Sequence, residues 1–178
     1  MNTHKPLSSK IAKGLGTAMT LLIGVLCLWS CASDNIHQPE PIIIPDPVTY
    51  TGDFTSWIPA IPAFKPETCE NTVTLKWQNE PLTLATLIID EFDIHITMMG
   101  MSFTIGQMNI TDVTCVRTTD GTMVFTNPQF ECQAGQFHTT GTLSGTLSPD
   151  GTLDLTLTYK PGSMPFEVKS TFTSKTAA

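Results

Sequence analysis

A chain of 178 residues with 40% hydrophobic and 14% charged residues has room for one core-building domain and a short appendage, and needs no second domain. All 16 acidic residues follow Cys31 while Lys5, Lys10 and Lys13 precede it, so the remainder carries six basic residues, scattered along the chain, and a net charge of −10. That balance excludes nucleic acid as a partner, since phosphate binding needs a clustered cationic face.

Residues 1–30 have the layout of a secretory signal peptide, with lysines at the start and an uncharged, largely apolar run from Leu15 to Trp29 that is short for a membrane span. The run ends in Leu28-Trp29-Ser30-Cys31, which resembles a bacterial lipobox; Trp29 departs from the usual small or aliphatic residue. The resemblance implies that Cys31 receives diacylglycerol and becomes the new N-terminus. Ala32 then permits sorting to the outer membrane, and Ser33-Asp34-Asn35 resembles a weak form of the acidic export signal of surface lipoproteins in gut Bacteroidetes. The expected localisation is the outer membrane, lipid-anchored, with its periplasmic and cell-surface faces both open.

With Cys27 removed and Cys31 lipidated, Cys69, Cys115 and Cys132 remain in an oxidising compartment. Three thiols form at most one internal bridge. A strict two-residue hairpin at Asp120-Gly121 puts Cys115 opposite Thr126, which favours Cys69 with Cys132 as the pair. Their spacing contains no C-x-x-C and no neighbouring histidine pair, so no metal or other cofactor is expected.

Residues 31–70 read as a Pro-rich tether: seven prolines between Pro39 and Pro66 interrupt helices and strand ladders alike. Trp57-Ile58-Pro59-Ala60-Ile61-Pro62-Ala63-Phe64 is too apolar for a free linker and is expected to dock on the domain as an extended strip.

Residues 71–178 are expected to form the folded domain, and their dominant signal is alternation. Val73, Leu75 and Trp77 alternate with threonine and lysine; Phe92, Ile94, Ile96 and Met98 with Asp93, His95 and Thr97; Leu153, Leu155, Leu157 and Tyr159 with Thr152, Asp154, Thr156 and Thr158. Period two predicts half-buried strands, here near 71–78, 82–89, 92–99, 102–106, 108–117, 122–126, 136–147, 152–159 and 165–173. Asp120-Gly121 and Asp150-Gly151 mark tight hairpins. The class is all-β. An up-and-down antiparallel barrel of about eight strands is expected because closure abolishes exposed edges; a β-sandwich is the alternative.

Four segments in this order also carry a resemblance: Met98-Met99-Gly100-Met101-Ser102-Phe103-Thr104-Ile105-Gly106, Asn109-Ile110-Thr111-Asp112-Val113, Leu143-Ser144-Gly145-Thr146-Leu147 with Asp150-Gly151-Thr152-Leu153-Asp154-Leu155, and Met164-Pro165-Phe166-Glu167-Val168. The succession resembles the calycin-like, or lipocalin-like, domain of Bacteroidetes lipoproteins over roughly residues 71–175. The resemblance implies an eight-stranded antiparallel barrel and transfers no reaction, since a fold is not a function.

Catalytic chemistry is thin. His37 lies in the tether, and His95 and His138 fall on wet strand faces, away from any nucleophile that needs a base. Asp90, Glu91 and Asp93 are paired carboxylates of the kind glycoside hydrolysis uses, but they sit at a strand junction. Met98, Met99, Met101 and Met108 offer soft ligands for Cu(I), against the plainer reading of flexible apolar filling. The expectation is a noncatalytic envelope lipoprotein holding a small apolar or amphipathic ligand against Trp77, Phe92, Ile94, Met98, Phe103, Leu155, Leu157 and Tyr159. The alternative is an accessory protein with a filled barrel that meets a protein or glycan through its loops.

Overall fold

The computed structural model describes residues 44–96 and 100–175, which belong to one compact unit. Ten strands run in chain order: β1 (Val48–Trp57), β2 (Glu67–Trp77), β3 (Leu84–Ile89), β4 (Phe92–Ile96), β5 (Met101–Ile105), β6 (Met108–Arg117), β7 (Met123–Ala134), β8 (Phe137–Leu147), β9 (Leu153–Pro161) and β10 (Val168–Ser174). Eight close an antiparallel barrel in the order β1-β10-β9-β8-β7-β6-β3-β2, and β4 and β5 form a separate two-stranded sheet. Closure rules out the sandwich.

The folded unit begins before residue 71. β1 lies inside the stretch read as tether and closes the barrel between β2 and β10. Pro47 and Pro59 bracket this strand without entering it, so every N–H its ladders need is present. Its inward positions are Gly52, Phe54 and Ser56, and the two small residues hide the alternation. Gly52 is required by the seam: a Cβ there would sit 2.2 Å from the Thr173 carbonyl oxygen. The strip after β1 turns its apolar side chains inward, with Ile58 1% and Phe64 8% exposed.

Two hairpins show why the sequence-based register slips by one. Thr118 N–H donates to the Thr122 carbonyl (2.9 Å) and Gly121 N–H to the Thr118 carbonyl (3.1 Å), with Gly121 at φ 90°. This is a three-residue loop closed by a left-handed glycine, so Cys115 faces Phe125 and not Thr126. Ser148 to Thr152 repeats the arrangement with Gly151. The strand predicted over 122–126 continues as β7 to Ala134, past a register shift between Asn127 and Phe130 where Pro128 interrupts the ladder.

Outward positions are mostly polar, with Val48 and Val116 the exposed exceptions on β1 and β6. A row of hydroxyls crosses seven strands through successive pairings: Thr68, Thr55, Thr171, Thr156, Ser144, Thr126 and Thr114. Inward positions form one apolar cluster. The β4–β5 hairpin lies at the barrel end formed by the start of β2 and the end of β1. There Phe92 packs on Phe54 with its ring tilted, at 4.5 Å between ring centroids, and Phe103 meets the edge of Phe137 at 6.4 Å. Gly106, where β5 gives way to β6, passes so close to Gly135 that a Cβ would fall 2.3 Å from its nitrogen.

Candidate functional site

Leu155, Leu157 and Tyr159 alternate inward along β9 and are 2%, 0% and 1% exposed; Phe54, Leu87, Phe125 and Phe172 around them are at 0%. A void large enough for a ligand leaves accessible surface on the side chains that line it. These side chains have almost none, so they pack on one another as a filled interior. Trp77 is buried near the opposite end of the barrel, 6.2 Å from Phe125 between ring centroids. Phe92, Ile94 and Phe103 belong to the covering hairpin, and Met98 lies outside the described residues. The seven described ligand candidates are divided among the barrel interior, its far end and the covering hairpin.

Beneath the hairpin the interior has a polar spot. Ser56 Oγ and Ser170 Oγ lie 2.8 Å apart, and the Tyr159 hydroxyl is 3.2 Å from Ser170 Oγ. All three side chains are buried, and burial pushes the Tyr159 phenol well above its usual range, so it stays protonated. These contacts tie β1, β9 and β10 together, and among the described hydrogen bonds none joins the three hydroxyls to a carboxylate or an imidazole.

An open cleft of about 480 Å³ runs between the β1–β2 wall and the hairpin, lined by Ser56, Glu67, Thr68, Cys69, Glu70, Glu91, Phe92, Asp93 and His95. Glu67 Oε2 accepts from the His95 backbone N–H at 3.1 Å and lies 3.3 Å from His95 Nδ1. Burial, then the charges of Asp93 and Glu67, raise the Cys69 thiol above its ordinary value, which disfavours the reactive thiolate. Of this cleft, Ser56, Glu67, Thr68, Cys69 and Glu70 fall in the stretch read as tether; the β-prone run of residues 48–57 signals only the strand that carries Ser56.

Several of the other chemical candidates take structural roles, while Met98 and Met99 lie outside the described residues. Asp90 accepts from Gln107 Nε2 at 3.0 Å across the junction between barrel and hairpin, and Asp93 accepts from Thr104. His95 and His138 are exposed, the latter 2.6 Å from Glu131. Met108 is a core residue at 0% exposure. No group of three or more His, Cys, Asp or Glu suited to a metal occurs among the described residues. Cys69, Cys115 and Cys132 are free thiols. The expected Cys69–Cys132 bridge is not formed, because Cys69 is exposed on β2 whereas Cys132 is buried on β7, with β6 and β3 between them. Cys31 lies outside the described residues.

No family model and no curated protein matches the chain. A crystal structure of a "putative outer membrane protein" from Bacteroides fragilis NCTC 9343 is similar, with a TM-score of 0.58 and 21% identity, over 72% of this chain and 50% of that one. The chain thus spans about half the length of its structural neighbour, and the likeness is one of fold.

Proposed function

We propose that this chain is a noncatalytic lipoprotein of the bacterial outer membrane, held by lipid on Cys31, whose calycin-like barrel is a rigid scaffold that meets a protein or glycan partner through its outer surface and loops. The observation that carries the reading is the near-zero exposure of the inward side chains, from Phe54 and Phe125 to Leu157 and Phe172. Such an interior leaves recognition to the outside. The outer wall supports the anchor. Membrane-spanning barrels turn an apolar band outward, whereas this one turns out mainly threonine, serine and charge, with Val48 and Val116 as scattered exceptions, so attachment falls to the N-terminal lipid. The name of the Bacteroides neighbour is consistent with an envelope location.

Two measurements test this. Cys31→Ser should move the protein to the soluble fraction and remove acyl mass from its N-terminus; a variant that stays membrane-bound, beside a wild type without acyl mass, contradicts the anchor. A thermal-shift screen of fatty acids, sterols, bile acids, haem and oligosaccharides should find no ligand that needs the barrel interior. A second reading keeps the small apolar or amphipathic ligand and rests on one feature: the hairpin is a separate sheet. Its displacement would uncover Phe54 and the Ser56–Ser170–Tyr159 hydroxyls. A stabilising lipid whose effect vanishes in Phe54→Ala would favour it.

A further inference from the structure

A closed barrel has no free edge, so the open strand edges among the described residues belong to β4 and β5. The β4 edge is partly blunted: the His95 N–H points away from β5 to Glu67 Oε2. This fixes the ladder. His95–Ser102 is a non-hydrogen-bonded pair, and so is Asp93–Thr104 two residues along. The N–H and C=O groups of Ser102 and Thr104 therefore point to the free side of β5, and no described backbone hydrogen bond takes that strand to any element other than β4.

Natural edges are guarded by lysine, proline, a bulge or an inward charge. The β5 edge has none of these, and residues 96–111 contain no charged side chain in an otherwise acidic protein. Its sequence, Met101-Ser102-Phe103-Thr104-Ile105, is also symmetric in kind about Phe103: apolar, hydroxyl, aromatic, hydroxyl, apolar. We infer that β5 is a self-pairing edge, and that two copies of this chain associate antiparallel about a two-fold axis at Phe103 to make a four-stranded sheet.

The pairing follows from the ladder. Ser102 faces Thr104 of the second copy and Thr104 faces its Ser102, both as hydrogen-bonded pairs that use the groups left free. Phe103 faces Phe103 of the second copy as the non-hydrogen-bonded pair between them. Phe103 is only partly buried against Phe137, so its ring has area for the second copy to cover. The symmetry makes the contact closed and isologous, giving dimers and not fibres. A five-residue strand contact is small, so the association is reversible and concentration-dependent. It is independent of how the chain is anchored.

Disulfide trapping in the full-length protein on its membrane tests this, in a Cys69→Ser background that removes the exposed native thiol. Non-hydrogen-bonded partners lie about 4.5 Å apart at Cα, within disulfide range, so Phe103→Cys should give a reducible dimer on mild oxidation. Thr104→Cys should not, because its two copies are offset along the strands. Adding Ser102→Pro to Phe103→Cys removes an edge N–H without touching the β4 ladder and should cut the dimer by roughly fivefold or more. Monomer only from Phe103→Cys, equal trapping by Phe103→Cys and Thr104→Cys, or trapping indifferent to Ser102→Pro in a folded variant overturns the proposal. A disulfide from Phe103→Cys to a different polypeptide overturns self-pairing as well. If Ser102→Pro does not fold, the contrast between Phe103→Cys and Thr104→Cys decides alone.

Discussion

The barrel wall and the β4–β5 hairpin are built from the same alternating sequence, yet they are held in different ways. Each wall strand pairs on both sides, and its inward residues are shared by one cluster. Each hairpin strand pairs on one side, and the hairpin is held to the barrel mainly by side chains: Phe92 on Phe54, Phe103 on Phe137 and Glu67 on His95. Closure makes the wall a single cooperative unit. An element attached mainly through side chains opens at lower free energy and is where a protein can present backbone to a partner. Alternation tells which face is apolar; what distinguishes the two regions is whether both edges of a strand are used.

The largest expected effect contrasts the two regions directly. Phe172→Ala, at 0% exposure in the wall, should cost ~3–5 kcal/mol in urea unfolding, whereas Phe103→Ala on the half-buried hairpin position should cost only about 1 kcal/mol. Equal losses would mean that hairpin and wall unfold as one unit. Next comes the seam: Gly52→Ala pushes a methyl group into the Thr173 carbonyl and should cost ~1–3 kcal/mol, with the barrel closure between β1 and β10 the first pairing to lose hydrogen-exchange protection. Smaller again, Tyr159→Phe removes one buried hydroxyl and leaves Ser56 and Ser170 paired, so a loss near 1 kcal/mol is expected.

Stability should also fall in alkali, for a reason confined to the wall. Burial pushes the Cys115 thiol up to about 12 from 9.0 and raises Cys132 as well. As pH climbs past 9 the unfolded chain releases thiol protons that the folded chain keeps, so stability is level below that point and declines toward pH 12. Denaturant midpoints measured across this range should fall less steeply in Cys115→Ala, with Cys132 and Tyr159 carrying the remaining decline; an unchanged slope would remove the Cys115 thiol from the account. The smallest effect lies in the exposed turns. Asp120 and Asp150 accept hydrogen bonds from Thr118 or Thr122 and from Thr152, and their carboxyls titrate below 3.8. Their contribution is present above that value and is lost as pH falls through the depressed one, which Asp120→Asn with Asp150→Asn should abolish in an acid titration.

Much of the wall was legible. Leu153, Leu155, Leu157 and Tyr159 alternate without interruption, and each Asp-Gly marks a real turn. β1 was hidden because Gly52 and Ser56 occupy two of its inward positions and prolines stand at both ends, which resembles a linker when counted by composition. The second half of β7 was lost at Pro128, where the register shifts. The hairpin could not be told from the wall, since Phe92, Ile94 and Phe103 alternate as wall residues do. The candidate site suffered most: period two identifies an inward face, but only three-dimensional packing decides whether the face lines a void, and only strand order decides whether Cys69 can reach Cys132.

The central claim is that the barrel is filled and that recognition lies outside it. Native mass spectrometry of the full protein, gently extracted from its membrane, tests this most directly. The account predicts a chain carrying covalent acyl mass and no small molecule bound one to one, with Leu157→Trp too bulky for the packed core and therefore destabilising. A stoichiometric apolar ligand on the wild type, lost from a Leu157→Trp protein that folds as stably as the parent, would contradict it.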